Sequence, residues 1–347
     1  MIVKLARALG ATIAALLGIA LLLVLPVLYI ETSCRPTGTA APYDPIKPEA
    51  HHRPESRTLL TYPEWHIVHA YEDYAEILRE GDPHEYGFLR GIAGFWTTLC
   101  DLSAASGAHG GFPGDTKTMV YVVGVSFTAE LLAKAAYEET LGRAATWLRG
   151  PEPAPLDQLS ARQARDYAVF LRQVPWYRWD FTEAADALAA EATGALRDRE
   201  RRMALGLEYR GKALYAEAIA AAVASTGNDA LRLRMIVDRA PAPGDGLEVI
   251  GPNGPGIEVE TIRYRALTEM LQGLAEERIQ ILEIAGNDDI MLTVISDEAQ
   301  YPDALISVPR QGFGDYRHLV LLKVSDLSVT LQSLATDNTR LEHIHDY

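Results

Sequence analysis

The residues best suited to chemistry are concentrated in the segment Tyr62–Tyr74, YPEWHIVHAYEDY. His66 and His69 lie three positions apart, and Glu72 and Asp73 follow within about one further helical turn. On a helix, side chains three and four positions apart are neighbours, and imidazole and carboxylate groups bind divalent transition metals. The spacing predicts a divalent-metal or catalytic site made of these four residues. A solvated, charged helix face is the alternative, because the spacing is not that of a zinc protease or a di-iron bundle.

A second group lies in the C-terminal segment Leu341–Tyr347, LEHIHDY. On a strand, the two-residue period places His343, His345 and Tyr347 on one face and Glu342 on the other. A His-x-His pair can bind a metal ion, but a terminal strand that only completes a sheet is the alternative. Of the two groups, we expect the helix histidines to form any site, because a capped helix holds its side chains more rigidly than a terminal strand does.

A third group is aromatic: Trp176, Tyr177 and Trp179 lie close together in the sequence PWYRWDF. Such a cluster could line a groove for a lipid or another hydrophobic ligand, or contact a membrane interface, where Trp and Tyr are enriched. Contacts between helices are the alternative. The sequence contains neither a phosphate-binding P-loop nor a G-x-S-x-G nucleophile elbow.

The elements that would position these groups follow from periodicity. The segment Thr61–Glu64 has the pattern of a capping box, and Ile67, Tyr71 and Tyr74 follow at helical spacing. Helical patterns continue to about residue 228. Beyond it the apolar pattern alternates, in an order close to β-α-β-β-α-β with an extra strand or two, which a ferredoxin-like domain would satisfy. No internal repeat is detectable in the sequence.

The N terminus carries the strongest localisation signal. Residues 8–30 form a run of 23 residues without a charge, preceded by Lys4 and Arg7 and followed by Glu31. About 20 apolar residues suffice to cross a bilayer, and the preceding positive charges place the first residues in the cytoplasm. We expect an uncleaved signal anchor in a bacterial inner membrane, passing once, with most of the chain on the periplasmic or extracytoplasmic side. A cleaved signal peptide is the alternative.

Two further segments bear on this topology. Thr118–Ala129 is the best candidate for another span, but Glu130 and Lys134 follow closely, so we expect a buried helix of a bundle instead. Cys34 and Cys100 are the only cysteines, and an exported compartment would permit a disulfide between them. The counter-argument is that Cys34 follows the span so closely that it could lie at the lipid headgroups.

The predicted fold class is therefore α+β, in four parts. They are a signal-anchor transmembrane helix at residues 1–31, an extended tether rich in proline at 32–57, an α-helical domain at 58–228 and a ferredoxin-like α+β domain at 229–347.

Composition limits the function. The 347 residues include 32 basic and 47 acidic side chains, a net charge of −15, which argues against nucleic acid as a partner. We expect a membrane-anchored envelope protein with a non-catalytic binding or assembly role, whose partners are the lipid bilayer and another envelope protein. The alternatives are a metal-binding protein or enzyme that uses the first histidine group, with a divalent metal ion as cofactor, and a helical domain that binds a hydrophobic ligand.

Overall fold

The structure of the chain is a computed structural model. The residues that it describes are 2–47, 49–224, 232–242, 246–263, 265–334 and 338–347. For part of two helices the backbone alone is described, at residues 2–9, 11–17, 19 and 222–224. The predicted boundary between the helical and the α+β domains, at residues 228 and 229, lies outside the described residues.

The first part of the chain is helical. Helices α1 to α9 are Ile2–Ser33, Arg57–Leu60, Tyr62–Glu80, Phe88–Ala105, Gly114–Tyr137, Arg143–Arg149, Pro155–Leu171, Phe181–Glu191 and Leu196–Ala224. The short turns between them are a π-helical turn at Glu138–Gly142 and 3-10 turns at Glu49–His51, Pro83–Glu85, Ser106–His109 and Trp176–Arg178.

Helix α3, which carries the first histidine group, is central to the helical part and contacts α4, α5 and α7. The expected capping box at its start does not form, because α2 leads directly into α3 and Thr61 already has helical backbone angles. The Thr61 hydroxyl instead donates to the carbonyl of Thr58. Aromatic side chains, including Tyr74, Phe95 and Phe127, fill the core between α3, α4 and α5.

The C-terminal part consists of two antiparallel four-stranded sheets and two helices. The elements in chain order are β1 Arg232–Val237, β2 Leu247–Asn253, β3 Gly256–Ile262, α10 Arg265–Glu276, β4 Ile281–Ile284, β5 Asp289–Ser296, β6 Ala304–Pro309, β7 Tyr316–Lys323, α11 Val324–Leu334 and β8 Arg340–His345.

These elements repeat one arrangement twice. The first unit (β1, β2, β3, α10, β4) forms sheet A with the order β2-β3-β1-β4, and the second unit (β5, β6, β7, α11, β8) forms sheet B with the order β6-β7-β5-β8. Each unit has one bulge between its first and fourth strands and another between its second and third. Both sheets and both helices share one apolar core, in which α11 contacts β4 and α10 contacts β8.

This arrangement corrects the sequence prediction of a single ferredoxin-like sheet. The periodicity indicates a helix from about residue 260, yet β3 continues to Ile262. Glu258 and Glu260 make this strand look polar, but Arg234 of β1 pairs with both of them across the sheet. The edge strand β6 has no fully buried residue and ends at Pro309. The duplication is visible in strand order and bulge positions, which the sequence does not display.

Residues 32–57 do not form the expected free tether. Their backbone runs from the helical part to sheet A and is held at several points: the Thr37 N–H donates to the Ala104 carbonyl over 2.9 Å. Tyr43 donates to Glu283 over 2.8 Å, and the buried Lys47 ammonium lies 2.6 Å from Glu258. We call this segment the strap. The strap is rich in proline and forms no apolar core of its own. Carboxylates of sheet A, distant in the sequence, bind its polar groups.

Helix α5 differs from its prediction as well. The sequence predicts a buried helix of a bundle; α5 buries Val120, Phe127 and Leu131 on one side but exposes its opposite side. Among the described residues, the continuous helix Gly114–Arg149 is long and apolar enough to cross a membrane, and only 28% of its most apolar stretch is buried. The N-terminal helix contributes a shorter apolar stretch, Ala20–Ser33, to the described residues. Core helices and signal sequences meet the same length and composition criteria.

Candidate functional site: a buried histidine and carboxylate cluster between helix and sheet

The start of α3 lies against the outer face of sheet B, and this contact brings the two histidine groups together. Trp65 stacks on His343 with ring centroids 3.6 Å apart, and Tyr62 lies edge-on to His345 at 5.6 Å. From the sequence alone, the histidines of the helix and those of the strand are alternative candidate sites. In the structure, His69 and both strand histidines are buried in the same interface.

The centre of the interface is His69, which lies between two carboxylates. Its Nδ1 atom is 3.2 Å from Glu72 Oε2, and its Nε2 atom is 3.5 Å from Glu342 Oε2. These three side chains present ligand atoms close enough to one another to hold a metal ion. Of the predicted set, the structure therefore joins His69 and Glu72 and adds Glu342 from β8.

Two arginines compensate the carboxylates. Arg317 of β7 forms two hydrogen bonds to Glu342, one of them of 2.7 Å from Nη2, and Arg172, the C-cap residue of α7, donates to Glu72. Burial raises the pKa of Glu342, but the Arg317 charge outweighs burial and holds that pKa well below its ordinary value. Burial also opposes ionisation of Glu72, yet its bond with His69 and the charge of Arg172 bring its pKa to about 2.

These charges determine the state of His69. Burial first, and then the positive charge of Arg317, lower the pKa of His69, so its imidazole is neutral. A neutral imidazole has one N–H group; on Nδ1, the nitrogen with the shorter contact, it donates to Glu72. The lone pair on Nε2 then faces a Glu342 oxygen, and Nε2 has no hydrogen-bond partner among the described residues. Two acceptors at this distance require a donor or a cation between them.

Asp73 and His66 point elsewhere. Asp73 accepts a 3.0 Å hydrogen bond from the Gln311 N–H, and burial raises the pKa of Asp73 to about 7. His66 turns into the helical core against Phe95 and Phe127, where its Nε2 atom donates to the Gly91 carbonyl over 3.0 Å. Burial lowers the pKa of His66 to about 3. His66 therefore does not join His69 in one site, which corrects that part of the predicted set.

The strand histidines have contrasting surroundings. The Nδ1 atom of His343 lies 3.0 Å from the Thr268 hydroxyl of α10. His345 is fully buried, and neither of its ring nitrogens has a hydrogen-bond partner among the described residues. Burial lowers the pKa of His345 to about 3. Tyr347, expected on the same face, instead lies in the core shared by the two sheets.

Glu342 and Arg317 are the residues that sequence reasoning missed. Period-two alternation places Glu342 on the face opposite His343, but the pairing of β5 with β8 shifts register between His343 and Leu341. A bulge places an extra residue on one strand and re-aims its side chain, so the Glu342 carboxylate reaches His69. Arg317 lies on β7, and nothing near it in the sequence indicates a carboxylate partner.

The aromatic group forms contacts between helices. Trp176 lies against Tyr215 of α9 with centroids 5.2 Å apart, and Trp179 lies edge-on to Phe170 of α7 at 5.1 Å. Tyr177 lies in the same apolar cluster. A cleft of about 520 Å³ lies elsewhere, between α3 and α7, and Glu72 and Arg172 are among its lining residues.

A second polar cluster joins the strap to the start of sheet B. The Nδ1 atom of His109 lies 3.5 Å from Glu55 and 3.4 Å from Asp289, and Lys323 lies 3.0 Å from the other Asp289 oxygen. The neighbouring carboxylates of Asp289 and Glu55 raise the pKa of His109 to about 9. The imidazolium is therefore an internal cation for these carboxylates near neutral pH.

Cys34 and Cys100 are joined by a disulfide, with Cα atoms 5.0 Å apart. Ser103 reinforces the connection, because its hydroxyl donates to the Cys34 carbonyl over 2.9 Å. The end of α1 is thus fixed to α4. In comparisons with known proteins, no family model, no curated protein and no solved structure matches this chain.

Proposed function

We propose that the chain is a single-pass protein of a bacterial inner membrane, anchored by α1, with its bulk on the periplasmic side and a non-catalytic role in binding or assembling another envelope protein. The observation that carries this proposal is α1 itself. It is one continuous 32-residue helix that contains the uncharged run of residues 8–30, and its outward side chains between Leu21 and Tyr29 are apolar and exposed. Such a surface is stable in lipid and costly in water.

The disulfide supports the periplasmic location, because disulfides persist in exported compartments and are rare in the cytosol. The buried cluster supports a non-catalytic role. His69, Glu72 and His345 have almost no exposed surface, and both glutamates of the cluster already hold arginine partners. Glu72 borders the cleft between α3 and α7, but a substrate would have to separate α3 from sheet B to reach His69 and His345. The arrangement serves best to join the helical part to the α+β part.

The test uses the full chain expressed in a bacterium. A reporter that works only in the cytoplasm, fused after Tyr347, is expected to be silent, and the protein is expected to remain in the membrane pellet after alkaline carbonate extraction. Two arginines in the span, Leu16→Arg with Leu17→Arg, should release it, since each charge at mid-bilayer costs about 2.5–3.5 kcal/mol. A matched arginine at exposed Val169 should not. An active reporter, or wild-type protein in the carbonate supernatant, would overturn the anchor.

One observation favours the second candidate function, a divalent-metal site. The lone pair of His69 Nε2 faces Glu342, and a cation between them would satisfy both atoms. Such an ion would be held by His69, Glu72 and Glu342, in competition with Arg172 and Arg317. The purified full chain is dialysed against Zn²⁺ or Mn²⁺ and its metal content measured. If the site binds metal, the wild type should contain one ion per chain, the His69→Gln variant none and the His66→Gln variant one. Absence of the ion from the wild type would mean that a water molecule bridges His69 and Glu342.

A further inference from the structure

The outer side of α5 has an unusual surface for a helix in water. The exposed positions from Thr118 to Ala136 form one stripe with no charged residue, which includes Met119 and Val122, and Val122 is 54% exposed. Both charged residues of this stretch, Glu130 and Lys134, turn away from the stripe toward α9. The stripe is therefore apolar or small along about five helical turns.

Helix α9 carries large aliphatic side chains on its exposed side, interspersed with the charged residues Arg199, Arg210 and Glu217. Met203, Leu207 and Leu214 lie on one side of this helix, and each is well exposed, with Leu207 at 76%. The opposite side of α9, with Leu205 and Ala216, is buried against the other helices. Large aliphatic side chains at this exposure, repeated on one face, mark an interaction surface rather than scattered surface residues.

The stripe on α5 and the exposed side of α9 lie on the same side of the molecule. Helices α5 and α9 are antiparallel neighbours joined by reciprocal ion pairs: Lys134 lies 3.0 Å from Glu208, and Lys212 lies 2.7 Å from Glu130. Each helix thus has one side toward its neighbour and one toward the interior. On antiparallel helices of the same hand, the remaining sides, which bear these exposed residues, both turn outward in the same direction.

Helix α1 borders this surface. Val27 and Ile30 pack into the core formed by α4 and α5, and Glu31 forms an ion pair of 2.9 Å with Lys117 of α5. The same turns of α1 expose Leu25 and Leu28 on their other side. The last turns of the uncharged run in α1 pack directly on the helical part. No flexible linker therefore separates the helical part from the membrane-spanning segment.

We propose that the outer faces of α5 and α9 form a second lipid-contacting surface beside α1, so that the helical part rests against the apolar zone of the membrane. This inference rests on the anchoring role of α1. The occupant is lipid because the surface continues the exposed side of α1, contains no charge between Thr118 and Ala136 on α5, and is held at the membrane by the disulfide and the docked end of α1. Arg199, Arg210 and Glu217 share the exposed side of α9, and the two arginines can extend their charged ends to the headgroups.

The test measures the environment of single nitroxide labels on the full chain with its disulfide intact, in vesicles of phosphatidylethanolamine and phosphatidylglycerol. Cysteines for labelling replace Val122 and Leu207, and Val329 of α11, a valine that is 62% exposed, gives the control. At each position, relaxation of the label by apolar oxygen is compared with its relaxation by a water-soluble nickel chelate. We expect the ratio of oxygen to nickel relaxation to be several-fold higher at positions 122 and 207 than at position 329.

The possible outcomes separate the two proposals. Nickel access at 122 and 207 equal to that at 329, in protein that still sediments with the vesicles, would overturn the lipid surface and leave the anchor intact. Low access to both reagents in vesicles and in detergent would show a second copy or another protein on this face, and would also overturn it. A chain that fails to enter the vesicles would contradict the anchor itself.

Discussion

The two units of the C-terminal part share strand order and bulge positions, yet their outer faces hold different segments. On β8, His343 follows the bulge, pairs with Thr293 and contacts Trp65 of α3. On β4, Glu283 has the same place relative to its bulge, pairs with Ile236 and accepts hydrogen bonds from Tyr43 and the Lys47 N–H in the strap. One position of the repeated scaffold therefore receives the N-terminal part of the chain in both units.

The difference lies in the charges. The contact on sheet B includes two carboxylates compensated by Arg172 and Arg317, while Glu283 on sheet A is satisfied by neutral donors. Removing one partner of a buried ion pair leaves an uncompensated charge, which costs more than the loss of a hydrogen bond between neutral and charged groups. The interface on sheet B should thus be more sensitive to substitution at Glu342 than the interface on sheet A is at Glu283.

The largest effect is expected from Glu342→Gln, compared with Glu283→Gln. The first leaves the Arg317 guanidinium buried without its carboxylate and should lower the free energy of unfolding by about 3–5 kcal/mol. The second keeps an acceptor for its neutral donors and should cost about 1–3 kcal/mol. Denaturant unfolding of the full chain in a mild detergent measures both. Equal losses would show that the two interfaces have the same energetic basis.

An intermediate effect is expected from Lys47→Met in the strap. The Lys47 ammonium is buried beside Glu258, but Glu258 keeps Arg234 at 3.2 Å and the Asn253 amide at 3.0 Å. Because these partners remain, the loss should be about 1–2 kcal/mol, below that of an orphaned buried charge. Limited proteolysis should then cut the strap faster. Unchanged proteolysis with unchanged stability would mean that the strap is not held by this ion pair.

The smallest effect concerns pH and the cluster of His109 with Glu55 and Asp289. The pKa of His109 is raised to about 9 in the folded chain, above its ordinary value near 6.5. Its contribution is therefore complete below about pH 6.5 and is lost as the pH rises through 9. We expect a decline of about 1 kcal/mol or less over this range, because the cluster is partly solvated. His109→Gln should abolish the decline, and an identical pH profile in this variant would contradict the assignment.

The sequence predicts the large elements and the residue types of the interface, but it does not predict that α3 contacts sheet B. Helix α3 and its histidines, and most strands, are visible in periodicity. The contact of Trp65 with His343 joins residues far apart in the chain, and the orientation of Glu342 depends on a bulge that alternation cannot show. The duplicated sheets are hidden for a similar reason: β3 and β6 are polar or exposed strands whose partners come from elsewhere.

The strap also shows that local sequence patterns do not reveal long-range contacts. Its proline-rich composition is typical of a free linker, and that local argument is sound for an isolated segment. Lys47 and Tyr43 are held in place by their partners on sheet A, Glu258 and Glu283. Long-range partners of this kind are set by tertiary structure, which the local sequence pattern does not encode.

The most direct test of the account is the state of Cys34 and Cys100 in cells that express the full chain. Thiols are trapped in acid, and a mass-adding alkylating reagent is applied before and after reduction. Because α1 should deliver both residues to an oxidising compartment and their Cα atoms lie 5.0 Å apart, we predict no modification before reduction and two additions after it. Two free thiols before reduction would place the body in the cytoplasm and contradict the anchored, periplasmic arrangement.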